Sequence, residues 1–477
     1  MTQQPRHVAV IGHGMVGARF VEEVARRDPD GRRVRLTVVG AEAERPYNRI
    51  LLPEVVTGRL DLDDLALPEA DSAAVTVRRG VAATAVDPAA RRVALDDGTG
   101  LDYDELVLAT GARAAFPPVA GLSEDDGAPA PGVTALRGVE DCRRLMSLVR
   151  PGAPAVVLGG GVLGLEAARA LSEGGVRVSV VESSPWLMRR QIDQAAASIL
   201  SERLTAIGIA VHSWRVAARW LPGTGLELDD GRVLAGDALI VTAGVRARTE
   251  LAAGAGLAVE HGVVVDDALT TADPRIHAIG DCAQHARGGA GLVQPGWEQA
   301  AVLADLLTGT APGARYRGVR PVTRLKAEGI ELASLGDADA DGTAETVTVS
   351  DPHGGRYAKL SVRGDRVVGA ILLGFPDSAA TIAQLYDQDA PVPSDRLALL
   401  LGAARPEPRI ADQAGPALVC RCNGVSREQL EEAWLDGART RQTLAEQTRA
   451  TTGCGGCVRD VNALLAGWNN ERPAPAR

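Results

Sequence analysis

His7-Val-Ala-Val-Ile-Gly-His-Gly-Met-Val-Gly17 and Ala155-Val-Val-Leu-Gly-Gly-Gly-Val-Leu-Gly164 are one phrase written twice. Each is a short apolar run entering Gly-x-Gly-x-x-Gly, followed by residues of helical periodicity, Ala18–Arg27 and Leu165–Glu173. In such a strand–turn–helix unit the first glycine (Gly12, Gly159) permits the tight turn. The second (Gly14, Gly161) lets the backbone approach a pyrophosphate, and the third (Gly17, Gly164) allows close helix–strand packing. The helix N-terminus then presents its unbonded N–H groups to the phosphates. One such motif is weak; two in the same context, each with an acidic residue after the next strand, predict two dinucleotide sites.

The acidic residues differ in quality. Glu182 ends the strand-like Val176–Val181, where a carboxylate accepts both ribose hydroxyls and repels a 2′-phosphate, which favours NADH over NADPH. Arg189 and Arg190 lie close enough to blur that preference. In the first copy Glu42 follows Leu36–Val39 one or two positions late for the same role. The runs Leu106–Ala112 and Ala238–Gly244 match as strand ends where the chain crosses between nucleotide units, and Gly280-Asp281 sets a carboxylate at another strand end, suited to a flavin ribityl hydroxyl.

At 477 residues the chain has room for about three domains of roughly 150 residues. A charge of −10 repels phosphate backbones, so nucleic acid is not an expected partner. No apolar run approaches the roughly 20 residues of a membrane span, and no signal peptide precedes His7, so a cytoplasmic location without membrane association is expected. Beyond Thr310 the texture changes: Val347–Val349, Tyr357–Val362 and Val367–Leu373 read as strands of a small α+β unit. Residues 403–417 are Pro-rich and aperiodic, the composition of a linker.

That segment holds four of the six cysteines, as Cys420-x-Cys422 and Cys454-x-x-Cys457. Two close pairs of thiolates suit a [2Fe–2S] cluster or tetrahedral zinc; the glycines of Thr452–Cys457, which free backbone N–H groups to approach sulfide, favour iron–sulfur. Between the pairs, Ser426–Gln429 and Thr443–Glu446 read as capping boxes. A module of about fifty residues is too small for a generous core, so bound metal would support its folding.

The doubled dinucleotide plan, Ala109-Thr-Gly111 and Ile279-Gly-Asp281 together resemble the FAD- and NAD(P)H-dependent pyridine nucleotide-disulfide oxidoreductases. Tyr47-Asn-Arg-Ile-Leu-Leu-Pro53 and Thr323-Arg-Leu-Lys326 look like the flavin part of assimilatory NADH nitrite reductase large subunits and of nitrate reductase electron-transfer subunits. Cys420–Cys457 is similar to the bacterioferritin-associated-ferredoxin (BFD) type of [2Fe–2S] domain. The fold implied is α/β: two Rossmann-like dinucleotide-binding domains, a small α+β domain and a C-terminal helical [2Fe–2S] domain. Residues 1–117 and 245–315 would bind FAD and 118–244 NAD(P)H; 316–402 would be the α+β domain, 403–417 the linker, 418–467 the cluster domain and 468–477 a tail.

Carried over by that resemblance, FAD would be held by Gly12, Gly14, Gly17, Glu42, Arg49, Thr110, Gly111, Gly280, Asp281 and Trp297. Arg49 would neutralise its pyrophosphate, and the helix opened by Pro295-Gly-Trp297-Glu298 would face its pyrimidine; Trp297 could equally be a core aromatic. NADH, or less readily NADPH, would meet Gly159, Gly161, Gly164, Glu166 and Glu182. Disulfide- and peroxide-reducing relatives carry a cysteine beside the flavin, and Arg45–Val55 has none; Cys142 and Cys282 are expected as small buried residues. The implied function is a relay from NADH through FAD and the cluster to a separate molybdenum nitrate reductase or sirohaem nitrite reductase catalytic subunit, without nitrite reduction by this chain itself. The cofactors supply the chemistry, so no conventional catalytic residue is expected. Two other readings remain open: an amine- or opine-oxidising flavin dehydrogenase component, and a non-catalytic zinc or redox sensor.

Overall fold

The computed structural model describes residues 4–125, 127–288, 291–327, 329–338, 342–403, 418–420, 423–453 and 455–471. The apolar run of the first motif forms the strand Arg6–Ile11 at the centre of a five-stranded parallel sheet. In spatial order the strands are Ile276–Ala278, Glu105–Leu108, Arg6–Ile11, Val34–Gly40 and Val75–Arg79. A strand covered on both faces reads as continuous apolar sequence, and Val8, Ala9 and Val10 are fully buried. The helix after the motif, Met15–Arg27, packs against Val293–Thr308, and Arg27 joins the two through Asp305 at 2.7 Å.

The second motif repeats this arrangement. Its strand Pro154–Leu158 is central in a parallel sheet ordered Val133–Ala135, Ala238–Val241, Pro154–Leu158, Arg177–Glu182 and Ala210–Ser213, and its helix is Val162–Glu173. Each unit also carries a three-stranded antiparallel sheet, Ala83–Asp87 with Arg92–Leu95 and Gly100–Asp102, and Ala217–Leu221 with Gly225–Leu228 and Val233–Ala235. The chain passes between the units on two short strands, Ala112–Ala114 and Val245–Ala247, which pair antiparallel.

Beyond Tyr316 the α+β unit has five antiparallel strands rather than the three legible in the sequence. The additional pair, Val322–Ala327 and Ile330–Gly336, joins Arg366–Leu373, Arg356–Arg363 and Glu345–Asp351. Its helix Pro376–Asp387 covers the Arg366–Leu373 strand. The other side docks on the second nucleotide unit, where Tyr357 Oη donates to Asp193 Oδ2 at 2.6 Å and Ser334 Oγ to the Gln191 carbonyl at 2.5 Å.

The cysteine module contains a small hairpin, Leu418–Cys420 with Val425–Ser426, and helices Arg427–Leu435, Arg441–Thr448 and Val458–Glu471. Leu430, Trp434, Leu444, Val461 and Trp468 close a core that includes Cys420 and Cys457. The box at Ser426 forms: its Oγ accepts from Gln429 N at 3.3 Å and Gln429 Oε1 accepts from Ser426 N at 2.9 Å. The second box sits three residues earlier than expected. Thr440, not Thr443, is the cap, because the helix begins at Arg441 and Thr443 returns the bond as the third helical residue. The expected linker, apart from Ala403, lies outside the described residues, as do Cys422, Cys454 and residues 472–477 of the tail.

Candidate functional site

Both glycine turns show why each position carries no side chain. Gly12 has φ +115°, and a Cβ there would lie 2.6 Å from the Ala109 carbonyl carbon; Gly159, φ +121°, would put one 2.6 Å from Thr242 O. A Cβ at Gly17 or Gly164 would strike the carbonyl of the first glycine of its own motif. These four glycines are required by the chain's own packing. Gly14 and Gly161 differ: they have ordinary extended backbones, φ −84° and −81°, and a Cβ would find only Arg49 Nη2, at 3.9 Å, or open space. Both second glycines line one continuous cavity of about 3000 Å³. The free N–H groups and positive dipole ends of two helices thus meet that cavity where the backbone is barest.

Around the first turn, Glu42 lines the cavity and accepts from Tyr47 Oη at 2.7 Å while pairing with Arg49. Burial alone would raise the Glu42 carboxyl, but the Arg49 charge and the Tyr47 hydroxyl outweigh it and hold it below its ordinary value. The Arg49 guanidinium stacks on the Tyr47 ring, 4.8 Å from its centroid, and donates to the Arg137 carbonyl at 3.2 Å. Thr110, Gly111, Gly280 and Asp281 line the same cavity. Asp281 accepts from Arg137 Nη2 at 2.6 Å and from Gly291 N at 3.0 Å, so its carboxylate stands oriented in the wall. Arg137 itself has no sequence signature; its partner is 144 positions away.

Trp297 is placed differently from the expectation that it contacts FAD. Its helix begins at Val293, two residues earlier than read, and Trp297 lies on the buried side of that helix. It is buried with Met15 and Leu67, donates from Nε1 to Met15 O at 3.1 Å, and is absent from the cavity wall. Val293, Gln294 and Pro295 present that helix's first turn to the cavity instead.

At the second turn Glu182 Oε2 accepts from Gly160 N at 2.7 Å and Oε1 from Ser184 N at 2.6 Å, which pins the carboxylate beside the motif. Arg189, Arg190 and Arg215 line the cavity with it. Glu166, in the first turns of the helix, is buried and reaches the same wall.

Cys420 and Cys457 both line this cavity, fully and almost fully buried. Asn423 Nδ2 lies 3.6 Å from Cys420 Sγ, an N–H···S contact of the kind that tunes a metal-bound thiolate. Cys142 and Cys282 are buried elsewhere, against the carbonyls of Leu52 and Leu108, and burial pushes the Cys142 thiol up to about 11. Cradles that admit backbone approach at Gly14 and Gly161, with a fixed acid at each, fit FAD and a nicotinamide nucleotide, and the chemistry of two buried thiols on the same wall, Cys420 and Cys457, fits part of the ligand set of a [2Fe–2S] cluster.

Two nucleotide cradles opening on one cavity define an oxidoreductase that exchanges electrons between a nicotinamide and a flavin. The chain belongs to the pyridine nucleotide-disulphide oxidoreductase family, whose model matches residues 6–302. Residues 321–389 match the rubredoxin NAD+ reductase C-terminal domain, and residues 418–467 the BFD-like [2Fe-2S] binding domain. It is therefore an FAD- and NAD(P)H-dependent oxidoreductase with a [2Fe–2S] module.

Nitrite reductase [NAD(P)H] of Bacillus subtilis (strain 168) is 32% identical over 472 residues, 96% of this chain and 57% of that protein. The assimilatory nitrate reductase electron transfer subunit of the same organism is 32% identical over 484 residues, 99% of this chain and 61% of that protein. The chain thus spans about 60% of the length of these relatives. The covalent putidaredoxin reductase–putidaredoxin complex shares the fold, with a TM-score of 0.73 at 24% identity over 83% of this chain and 96% of that one. No helix among the described residues is long and apolar enough to cross a membrane.

Proposed function

We propose that the chain is an NADH-dependent electron-transfer subunit that delivers electrons to a separate assimilatory nitrate reductase of the molybdenum type or, as the second choice, to a sirohaem nitrite reductase, in the cytoplasm. The observation that carries this reading is the single cavity reaching from Gly14 and Gly161 to Cys420 and Cys457. The extent of the match to the nitrate reductase electron transfer subunit, 99% of this chain, supports the choice of acceptor.

When bound, FAD accepts a hydride from the nicotinamide and a [2Fe–2S] cluster carries electrons singly. This chain's residues bind and orient. In this reading 1–117 with 245–315 form the FAD unit and 118–244 the NADH unit. Gly12, Gly14 and Gly17 shape the FAD pyrophosphate cradle, Arg49 supplies its countercharge, and Glu42 and Asp281 accept from ribose and ribityl hydroxyls. Thr110, Gly111 and Gly280 let the backbone close around the flavin, and the helix at Val293 offers its positive end to charge developing on it. Gly159, Gly161, Gly164, Glu166 and Glu182 seat NADH, the fixed Glu182 carboxylate disfavouring a 2′-phosphate. Cys420, Cys422, Cys454 and Cys457 ligate the cluster.

Anaerobic titration tests the reading: NADH should bleach the flavin and then the cluster, and the chain co-purified with its native partners should drive NADH-dependent nitrate reduction. No response to NADH or NADPH would leave the amine or opine dehydrogenase, and zinc without acid-labile sulfide would leave the sensor.

A further inference from the structure

Asn48 lies in the Tyr47–Pro53 stretch of the flavin-binding unit, is 2% exposed, and has every polar group committed. Its N–H donates to Leu65 O at 2.8 Å, its carbonyl accepts from Leu51 N at 3.2 Å, and its Oδ1 accepts from Ile50 N at 3.1 Å, capping a short helix. With Oδ1 fixed on an N–H, the amide nitrogen can point only outward. There it donates to the carbonyls of Thr452 and Gly453, at 2.6 and 2.7 Å, across 404 and 405 positions of sequence. Those carbonyls directly precede Cys454 and stand a few residues before Cys457. A second contact runs beside it: Arg19 Nη1 donates to Asn423 Oδ1 at 3.0 Å, Asn423 Nδ2 donates to the Arg449 carbonyl at 2.7 Å, and Arg449 pairs with Glu22.

We infer that Asn48 is a latch, a positioning residue whose amide holds Thr452 and Gly453 of the cysteine module against the flavin-binding unit. Across this seam the module is held by noncovalent contacts. Two carbonyls facing one buried NH₂ form a site that accepts a double donor and rejects an acceptor. The inference rests on the relay proposed above for its consequence, because a displaced module would separate cluster from flavin.

Asn48→Asp tests it. Aspartate keeps the Oδ1 cap to Ile50 and the side-chain shape, so local folding is preserved, but it sets a carboxylate oxygen against two carbonyls. Glu22→Gln, at the second contact, is a milder companion that leaves Asn48 in place. In full-length holoprotein, small-angle scattering of Asn48→Asp should give a larger radius of gyration than wild type. In anaerobic stopped flow its flavin should bleach with NADH at the wild-type rate, while subsequent cluster reduction slows on the order of tenfold or more, as small misplacements do. Glu22→Gln should shift both readouts in the same direction by less. Unchanged scattering overturns the latch, whatever the rate; larger size with an unchanged cluster rate overturns its part in electron transfer. If the wild-type cluster takes no electrons from NADH, the relay falls, and scattering alone still decides whether Asn48 holds the module.

Discussion

Gly164→Ala and Gly161→Ala add the same methyl group three residues apart and separate what the second turn needs to fold from what it needs to bind. At Gly164 the new Cβ would lie 2.7 Å from Thr242 Oγ1 and closer still to the Gly159 carbonyl oxygen. Neither neighbour can yield cheaply, since Thr242 Oγ1 is held by the carbonyls of Leu158 and Gly159, each at 3.1 Å. Overpacking costs about 1–3 kcal/mol, and a clash with backbone belongs at the upper end, about 3 kcal/mol. At about 2–4 °C per kcal/mol, the transition of this unit should fall by roughly 6–12 °C. At Gly161 the backbone is one that alanine adopts freely and nothing lies within 4 Å of the Cβ, so stability should change by less than about 0.5 kcal/mol. In the reading proposed above its methyl instead occupies the line of approach of the pyrophosphate, and the expected tenfold weaker NADH affinity corresponds to about 1.4 kcal/mol. Scanning calorimetry and NADH titration of flavin bleaching measure the two effects. Equal losses of stability, or wild-type NADH affinity in folded Gly161→Ala, would refute the division of labour between these glycines.

Glu182→Gln removes the charge that opposes a 2′-phosphate, so the NADPH-to-NADH ratio of kcat/KM should rise about tenfold, about 1.4 kcal/mol, in steady-state assays with both nucleotides. Glu23 is buried beneath Arg19, Arg26 and Arg27; burial would raise its carboxyl, but the three guanidiniums outweigh it and hold it low. Its stabilisation is therefore full above the ordinary value near 4.5 and is lost as pH falls through the lower folded value. Glu23→Gln should cost roughly 3–5 kcal/mol near neutral pH and flatten the acid limb of stability below pH 4.5 in urea unfolding between pH 7 and 3. Burial raises the thiols of both Cys142 and Cys282, so alkylation of native holoprotein at pH 8 should leave both unmodified by mass spectrometry until denaturant is added.

The doubled glycine turn was legible because its constraints are local: each glycine is dictated by atoms within a few residues or by one crossing strand. The strand end that carries Glu182 was legible from its apolar run, Val176–Val181, whereas the bond from Gly160 N, 22 positions away, that orients the carboxylate was not. Features set by tertiary packing were hidden. Val322–Ala327 mixes Thr323, Arg324 and Lys326 among apolar residues without clean alternation, and it is a strand because of its neighbour Ile330–Gly336. Thr440 and Thr443 both carry cap chemistry, and only the helix start at Arg441 chooses between them. Trp297 looked like a cofactor contact from its place near a helix start, but it sits on the side of its helix that packs against Met15 and Leu67. Arg137 and Asn48 hold partners far off in sequence, so neither carries a local signal.

The paired strands Ala112–Ala114 and Val245–Ala247 have a consequence for how the molecule can be cut. Ala114 faces Val245 in register, so everything between them leaves and returns at one point, like a branch on a stem. A two-residue turn spliced from Ala114 to Val245 would make an ordinary hairpin of the stem and leave the first parallel sheet with all five of its strands. What remained would be the first nucleotide unit without the second, able to show by itself whether FAD binds to the trunk as proposed above and how tightly.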